Sequence, residues 1–283
     1  MRIDSRCFDC LASRVAYECR LVTNDEEKIK EIVERCRNIL ESYRSRPVHA
    51  PLIASEVHGL AYSLVGSSDP FAELKRWNNR IASEVCRKVK GRLSTFREKA
   101  LASIVGNTLD YGVEKHNISE DFLGFFEKEM EKGLTVDHTD RIMNLSRRVV
   151  YFTDNCGEVV FDRLVIDHLR RKGAHIALVV KGAPILNDAT MKDAVALGLD
   201  REVDLITTTG SGDVGVNPEK FPAELREALE KCSLIVAKGM ANYESLDERR
   251  DLPPVAFMMA VKCDVIAESV GVPRGSYVAI LRE

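Results

Sequence analysis

The carboxyl-terminal half of the chain alternates short apolar runs with stretches of helical periodicity, and four of these runs end in polar residues. Such alternation predicts parallel strands that are covered on both faces. The carboxyl ends of parallel strands meet along one edge of a sheet, where ligands bind. The predicted strands, each with the polar segment that follows it, are 149–153 with 154–158, 176–180 with 181–188, 203–206 with 207–213, and 234–237 with 238–243.

Residues 1–145 have a different pattern, because apolar residues recur there almost only at helical spacing. One helix start is marked by Ser67-Ser68-Asp69-Pro70, which combines a capping residue with a proline in the first turn. The polar stretch 133–147 lacks a clear period and is the predicted connection between two domains. We therefore predict a helical domain over residues 1–145 and an α/β domain over residues 146–283.

The second domain is predicted to be a doubly wound, mostly parallel sheet of the Rossmann-like, three-layered class. Its crossover helices are expected between successive strands, where the apolar spacing is helical. The remaining predicted elements are crossover helices at 159–171, 189–197 and 222–231, a further helix at 253–261, and last strands at 265–266 and 277–281.

Composition and charge exclude several classes of function. A net charge of −3 over 283 residues provides no basic surface for nucleic acid. No apolar run reaches the roughly 20 residues that a membrane span requires. The first residues lead into no signal-peptide core, so we expect a cytoplasmic protein with reduced cysteines. The sequence does not determine the oligomeric state.

The strongest candidate chemistry lies in the segments that follow the first two predicted strands. Asp154 and Asn155 directly follow the first strand, and Asp188 ends the loop after the second. Carboxylate and amide oxygens at one sheet edge suit a hard divalent cation such as Mg²⁺ or Mn²⁺. Aspartate and asparagine are also common helix caps, and that structural role is the alternative for all three residues.

Four further sites lie at this edge, and the first three have both a functional and a structural interpretation. Glu158 orients a water as a general base or complements a helix dipole. The turn Gly210-Ser211-Gly212-Asp213 presents backbone N–H groups to an anion or is a glycine-rich turn without a ligand. Lys238 reaches a phosphate or ends its strand in water. Asn242, which follows closely, is expected to hydrogen-bond a sugar-like substrate.

These motifs, taken in order, resemble the metal-dependent damage-control phosphatases, a family first classified as domain of unknown function 89. Further motifs in the helical half are similar to the small archaeal and bacterial branch of that family. The segments that carry the resemblance are Asp154-Asn155-x-Gly157-Glu158, Lys181-Gly182-x-Pro184-x-x-x-Asp188, Ala237-Lys238-Gly239-x-x-Asn242-Tyr243-Glu244, Cys7-x-x-Cys10, Asp69-Pro70-Phe71 with Lys75 and Asn79, and Gly106-Asn107-x-x-Asp110-Tyr111-Gly112.

The resemblance implies a divalent metal, Mg²⁺, Mn²⁺, Co²⁺ or Ni²⁺, held by Asp154, Asn155 and Asp188. It implies that Lys238 contacts the substrate phosphate. It further implies that Gly210 and Ser211 help to hold that phosphate, and that Asn107 and Asp110 face the same cleft. The third loop departs from the family pattern Gly-Ser-Asp-Ala-Pro-Gly, because Gly212 precedes Asp213 here.

We therefore expect a phosphatase that hydrolyses small phosphomonoesters, whether sugar phosphates, nucleotides or damaged phospho-metabolites. A metal would neutralise phosphate charge and activate water, with Glu158 or Asp154 as proton acceptor. A covalent phosphoenzyme at Asp154 is disfavoured because the D-x-D pattern is absent. The alternatives are a carboxyl methyltransferase and a non-catalytic protein that binds a metabolite or a metal.

Overall fold

A computed structural model of the chain describes residues 1–44, 46, 48–108 and 118–283. The strands of these residues form one sheet, in which the four strands predicted between residues 149 and 237 lie side by side. The strands are β1 (Val136–Asp137), β2 (Arg148–Phe152), β3 (His175–Val180), β4 (Leu205–Thr208), β5 (Leu234–Lys238), β6 (Val255–Ala260) and β7 (Tyr277–Arg282).

The helices fall into an amino-terminal group and a group that alternates with the strands, as the periodicity predicts. Three of the second group match the predicted crossover helices within two residues at each end. The helices are α1 (Arg6–Arg20), α2 (Glu26–Tyr43), α3 (Ala50–Val65), α4 (Ala72–Val89), α5 (Phe96–Gly106), α6 (Ile118–Glu131), α7 (Thr139–Leu145), α8 (Glu158–Arg171), α9 (Met191–Ala196), α10 (Ala223–Lys231), α11 (Gly239–Leu246) and α12 (Asp264–Val270).

The sheet has the strand order β1-β7-β6-β5-β2-β3-β4, and of its pairs in the described residues only β6 and β7 are antiparallel. The chain runs outward from β2 to β3 and β4, then returns to β5 on the other side of β2. The strand order therefore reverses between β2 and β5, which is the position where doubly wound sheets bind ligands. The predicted fold class is confirmed.

Each face of the sheet has its own hydrophobic core, because successive strand residues point to opposite faces. On one face, Tyr151 and Leu178 pack with residues of α4, α5 and α8. On the other face, Phe152 and Val179 pack with residues of α10, α11 and α12. The result is a three-layered arrangement that covers β2 and β3 on both faces.

The helices of the amino-terminal half divide between two cores. Helices α1, α2 and α3 form a separate cluster that also contains Ile185 and Val214 from loops of the sheet. Helices α4, α5 and α6 instead share the core of one sheet face. The cores thus do not follow the boundary between residues 145 and 146, and the division into two domains stays a prediction. Cys7 and Cys10 lie on α1 as free thiols.

Two predicted elements near the carboxyl end are wrong. The run 253–261 was expected to be helical, but it contains β6, whose six residues are all buried. Burial on both faces removes the polar alternation that marks a strand, so the period cannot distinguish it from a buried helix. Residues 265–266 lie in α12 rather than in a strand. The last predicted strand is confirmed as β7. No helix in the described ranges has the length and apolar character needed to cross a membrane.

Candidate active site

The loops that follow β2 and β3 are joined by backbone hydrogen bonds at the carboxyl edge of the sheet. Asn155 forms an antiparallel bridge with Asp188. The Ala189 N–H donates to the Asp154 carbonyl at 2.8 Å. This pairing brings together Asp154, Asn155 and Asp188, the three predicted metal ligands. Their convergence follows from the topology, because β2 and β3 are parallel neighbours with their carboxyl ends at the same edge.

Side-chain amides surround the Asp154 carboxylate. Its Oδ2 accepts hydrogen bonds from Asn107 Nδ2 at 2.7 Å and from Asn155 Nδ2 at 2.9 Å. Asn107 caps the carboxyl end of α5 and also donates to Glu158 Oε2. The structure thus places Asn107 beside the predicted metal ligands, as the resemblance implied. Asp110, its partner in that motif, lies outside the described residues.

The position after Lys238 requires a glycine, Gly239, because of its backbone conformation and its distance from Asp154. It has φ +78°, and a Cβ built on it would overlap Asp154 Oδ2. A side chain at this position would therefore displace the carboxylate, in addition to the backbone strain of a left-handed residue. The close approach of α11 to β2 fixes the Asp154 carboxylate against the Gly239 backbone.

The side chain of Lys238 is more deeply buried than expected for a residue that binds a phosphate in the cleft. Its side chain is 0% exposed and lies between Glu158 Oε1 at 2.5 Å and Asp162 Oδ1 at 2.7 Å. Its Nζ also donates to Ser103 Oγ at 2.6 Å. Because two carboxylates of α8 lie beside the end of β5, the ammonium turns into the protein rather than toward the cleft. The expected direct contact between Lys238 and a phosphate stays a prediction.

The turn at Gly210 and Ser211 lies next to the loop after β3. A Cβ on Gly182 would lie 2.5 Å from the Ser211 nitrogen, so Gly182 permits the two loops to pack closely. Ser211 Oγ donates to Asp213 Oδ2 at 2.9 Å. Lys181 joins this region to the site, since its Nζ lies 3.4 Å from Asp188 Oδ2 and donates to the Asp213 carbonyl at 3.0 Å. The contact of Gly210 and Ser211 with a phosphate stays a prediction.

Asn242 is buried behind the site. Its Nδ2 donates to the Thr153 carbonyl at 3.1 Å and to the Lys238 carbonyl at 2.7 Å. It thereby ties the end of β2 to the end of β5. This arrangement gives Asn242 a structural contact, while the predicted contact with a substrate stays a prediction.

Burial and mutual repulsion disfavour the charged forms of the carboxylates at this edge. Burial, followed by the charge of Asp188, raises the pKa of Asp154 to about 7. Burial likewise raises the pKa of Glu158 to about 8. It also raises the pKa of Asp188, against the positive charges of Lys181 and other cations nearby. Buried carboxylates of this kind are stabilised in their charged form by a cation.

The donor set at Asp154 fits a hard divalent cation with few protein ligands. Across the described residues, no three His, Cys, Asp or Glu side chains form a group that could hold a metal. A cation at Asp154 and Asp188 therefore needs an amide oxygen, such as that of Asn155, and solvent to complete its ligands. Mg²⁺ and Mn²⁺ accept such mixed oxygen sets.

A cleft of about 370 Å³ opens above these residues. Asn107, Asn155 and Asn187 line the side next to the carboxylates, while α1 and α4 form the opposite wall. On that wall the rings of Tyr17 and Phe71 lie 6.1 Å apart between centroids. The cleft has the size of a small-molecule site and lies at the reversal of strand order.

Residues of α4 that the sequence did not single out for chemistry support the loop after β2 and the loop after β3. Asn79 Oδ1 accepts from the Gly157 N–H at 2.7 Å, and Asn78 Nδ2 donates to Asn187 Oδ1 at 3.2 Å. Within the described structure, Asn78 Oδ1 is buried without a hydrogen-bond partner, and Asn78 borders the cleft. The sequence signal that could have identified these residues is a pair of consecutive asparagines on the buried side of an amphipathic helix.

Comparisons with known proteins find relatives over nearly the whole chain. The family model of the damage-control phosphatase ARMT1-like domain matches residues 3–278. The chain is 41% identical over 286 residues to a damage-control phosphatase of Archaeoglobus fulgidus, with 99% of both chains covered. It is 29% identical over 287 residues to a damage-control phosphatase of Pyrococcus horikoshii, with 99% of this chain and 98% of that one covered. It is also similar to the crystal structure of a DUF89 family protein from Pyrococcus horikoshii, with a TM-score of 0.92, 27% identity and full coverage of both chains.

Proposed function

This chain belongs to the damage-control phosphatase family, and we propose that it hydrolyses small phosphomonoesters with a divalent metal held by Asp154, Asn155 and Asp188. The observation that supports the metal most directly is the backbone pairing of the loops after β2 and β3. It brings two buried carboxylates and an amide together beside the cleft. A bound cation would neutralise phosphate charge and lower the pKa of water.

The residues around the carboxylates have separable roles in this proposal. Asn107 donates to both Asp154 and Glu158, so it orients the carboxylate that would hold the metal. Glu158 is a positioning residue for Asn107. Its two oxygens accept hydrogen bonds from Lys238 and Asn107, and its side chain is fully buried. Of the two predicted proton acceptors, Asp154 is then the better placed.

The proposed substrates are sugar phosphates, nucleotides or damaged phospho-metabolites. The relatives named damage-control phosphatases support a phosphorylated metabolite as the substrate class. The cleft of about 370 Å³ supports a small molecule over a macromolecule. Its lining includes side-chain amides that would hydrogen-bond polar groups of the leaving group.

The test is phosphate release from p-nitrophenyl phosphate after chelation, followed by addition of Mg²⁺, Mn²⁺, Co²⁺ or Ni²⁺ one at a time. We expect chelation to abolish activity and at least one metal to restore it. Asp188→Asn should stay inactive in every metal, whereas Asp140→Asn, at an exposed position on α7, should behave as wild type. Full activity in the presence of chelator, or in Asp188→Asn, would refute the metal site.

A further inference from the structure

Lys181 and Lys238, at the carboxyl ends of β3 and β5, are not among the described residues that line the cleft. Lys238 is fully buried between Glu158 and Asp162. Lys181 is also buried, with a side chain 3% exposed, and its Nζ contacts Asp188 and two backbone carbonyls. Both ammonium groups are therefore buried among protein oxygens, away from the lining of the cleft. A phosphate that enters the cleft needs positive charge from other side chains.

Among the described residues that line the cleft, the positively charged side chains are Arg14 and Lys262, and none is acidic. Arg14 lies on α1, and Lys262 follows β6. Both side chains are exposed, in contrast to Lys181 and Lys238. The lining therefore carries two positive charges above a set of buried carboxylates, an arrangement that attracts an anion to the cleft.

The two cations lie on different walls of the cleft. Arg14 lies on α1, on the wall that Tyr17 and Phe71 also line. Lys262 Nζ donates at 2.5 Å to the carbonyl and to Oδ1 of Asn107, whose Nδ2 donates to Asp154. Arg14 thus lies on the helical wall of the cleft, and Lys262 lies at the sheet edge beside Asn107 and Asp154.

From this placement we infer that Arg14 and Lys262 form a clamp that binds the phosphate of the substrate from two sides, an inference that rests on the proposed phosphatase reaction. The guanidinium of Arg14 offers a planar pair of donors that matches two phosphate oxygens. Its Cζ lies 5.8 Å from the centroid of the Tyr17 ring, a contact that restricts the side chain at the cleft wall. Lys262 supplies a point charge and also positions Asn107.

The experiment measures binding of inorganic phosphate to the Mn²⁺-loaded full-length protein by isothermal titration calorimetry, together with KM and kcat for p-nitrophenyl phosphate. Arg14→Gln is the decisive variant, because Arg14 has no contact with Asn107 among its described interactions. Loss of a charge-assisted, bidentate contact should weaken phosphate binding roughly 10- to 100-fold and raise KM by a similar factor. Arg14→Lys should fall between Arg14→Gln and wild type.

Exposed cations on other surfaces provide matched controls. Arg87→Gln on α4 and Lys30→Met on α2 remove the same charges, and both should bind phosphate as wild type does. Lys262→Met should lower kcat as well as phosphate affinity, because it also releases Asn107. Mn²⁺ affinity and thermal stability of Arg14→Gln should be unchanged, which separates a clamp from a structural role.

The outcomes separate the clamp from the proposed reaction. Wild-type phosphate affinity in Arg14→Gln would overturn the clamp, even if the protein is an active metal-dependent phosphatase. Absence of phosphate binding to the wild-type protein would overturn it as well. If wild type binds phosphate, loses that binding on Arg14→Gln and yet hydrolyses no ester, the clamp stands and the proposed reaction fails.

Discussion

Two polar clusters lie side by side at the carboxyl edge of the sheet and differ in what surrounds their carboxylates. In the Lys238 cluster, Glu158 and Asp162 contact a buried ammonium. In the Asp154 cluster, which comprises Asp154, Asn155 and Asp188, neutral amides contact the Asp154 carboxylate. The first cluster neutralises its charge within the protein. The second does so only in part, and it lies next to the cleft.

The difference separates a cluster that stabilises the fold from one that we propose binds a metal. A buried ion pair is costly to break, because the remaining charge is left without a partner. Buried carboxylates next to a cleft instead have a raised affinity for an incoming cation. Asn107 connects the clusters, since it donates to Glu158 in one and to Asp154 in the other.

Lys238→Met should have the largest effect on stability. The variant leaves Glu158 and Asp162 buried without their cation, so the free energy of unfolding should fall by about 3–5 kcal/mol. Chemical denaturation would measure the change, with the exposed Lys30→Met as control. Wild-type stability together with weaker phosphate binding would show that Lys238 contacts substrate, as the family resemblance implied.

Asp154→Asn should show the opposite behaviour. Loss of a metal-binding carboxylate should lower kcat/KM by at least about a hundredfold. The free energy of unfolding should stay the same or rise, because the substitution removes a charge whose burial is unfavourable. Steady-state kinetics and denaturation of one preparation would test both parts. A variant that unfolds more readily and retains activity would reverse the assignment of the two clusters.

Gly239→Ala should disturb the Asp154 cluster through its backbone neighbour. Gly239 and Gly271 have nearly the same φ, +78° and +77°, but of these two only Gly239 has a neighbouring group, the Asp154 carboxylate, within 4 Å of the position that a Cβ would take. Each alanine variant should lose about 1–3 kcal/mol of stability from left-handed strain. Activity should fall only in Gly239→Ala. Equal activity in the two variants would show that the position of the Asp154 carboxylate is not critical.

Ser103→Ala should have the smallest effect. Ser103 Oγ donates to Asp162 Oδ1 at 2.5 Å and accepts from Lys238 Nζ at 2.6 Å, but the ion pairs remain without it. We expect a loss of about 1 kcal/mol in the free energy of unfolding and unchanged kcat/KM. A large loss of activity would place the Lys238 cluster in the reaction.

The sequence predicts the Asp154 cluster because its geometry follows from local features. Each of Asp154 and Asp188 lies in a loop that follows a parallel strand, and neighbouring parallel strands bring such loops together. The strand order itself is also consistent with the alternation of apolar runs and helical stretches. The strand β6 was missed, because a run buried on both faces has no polar alternation.

The environment of Lys238 could not be predicted in the same way. Its partner Ser103 lies 135 residues away in the sequence, and the direction of the lysine depends on how α5 and α8 pack. Arg14 was missed for a similar reason, because it reaches the cleft from α1, outside the α/β half. Contacts between distant elements depend on tertiary packing, which periodicity and motif spacing do not encode.

Whether the Asp154 cluster holds the metal is decided by titrating chelator-treated protein with Mn²⁺ and following free Mn²⁺ by electron paramagnetic resonance. We expect bound Mn²⁺ in wild type and in Ser103→Ala, and loss of that binding in Asp154→Asn. Undiminished Mn²⁺ binding in Asp154→Asn, or no binding in wild type, would show that the Asp154 cluster is not the metal site.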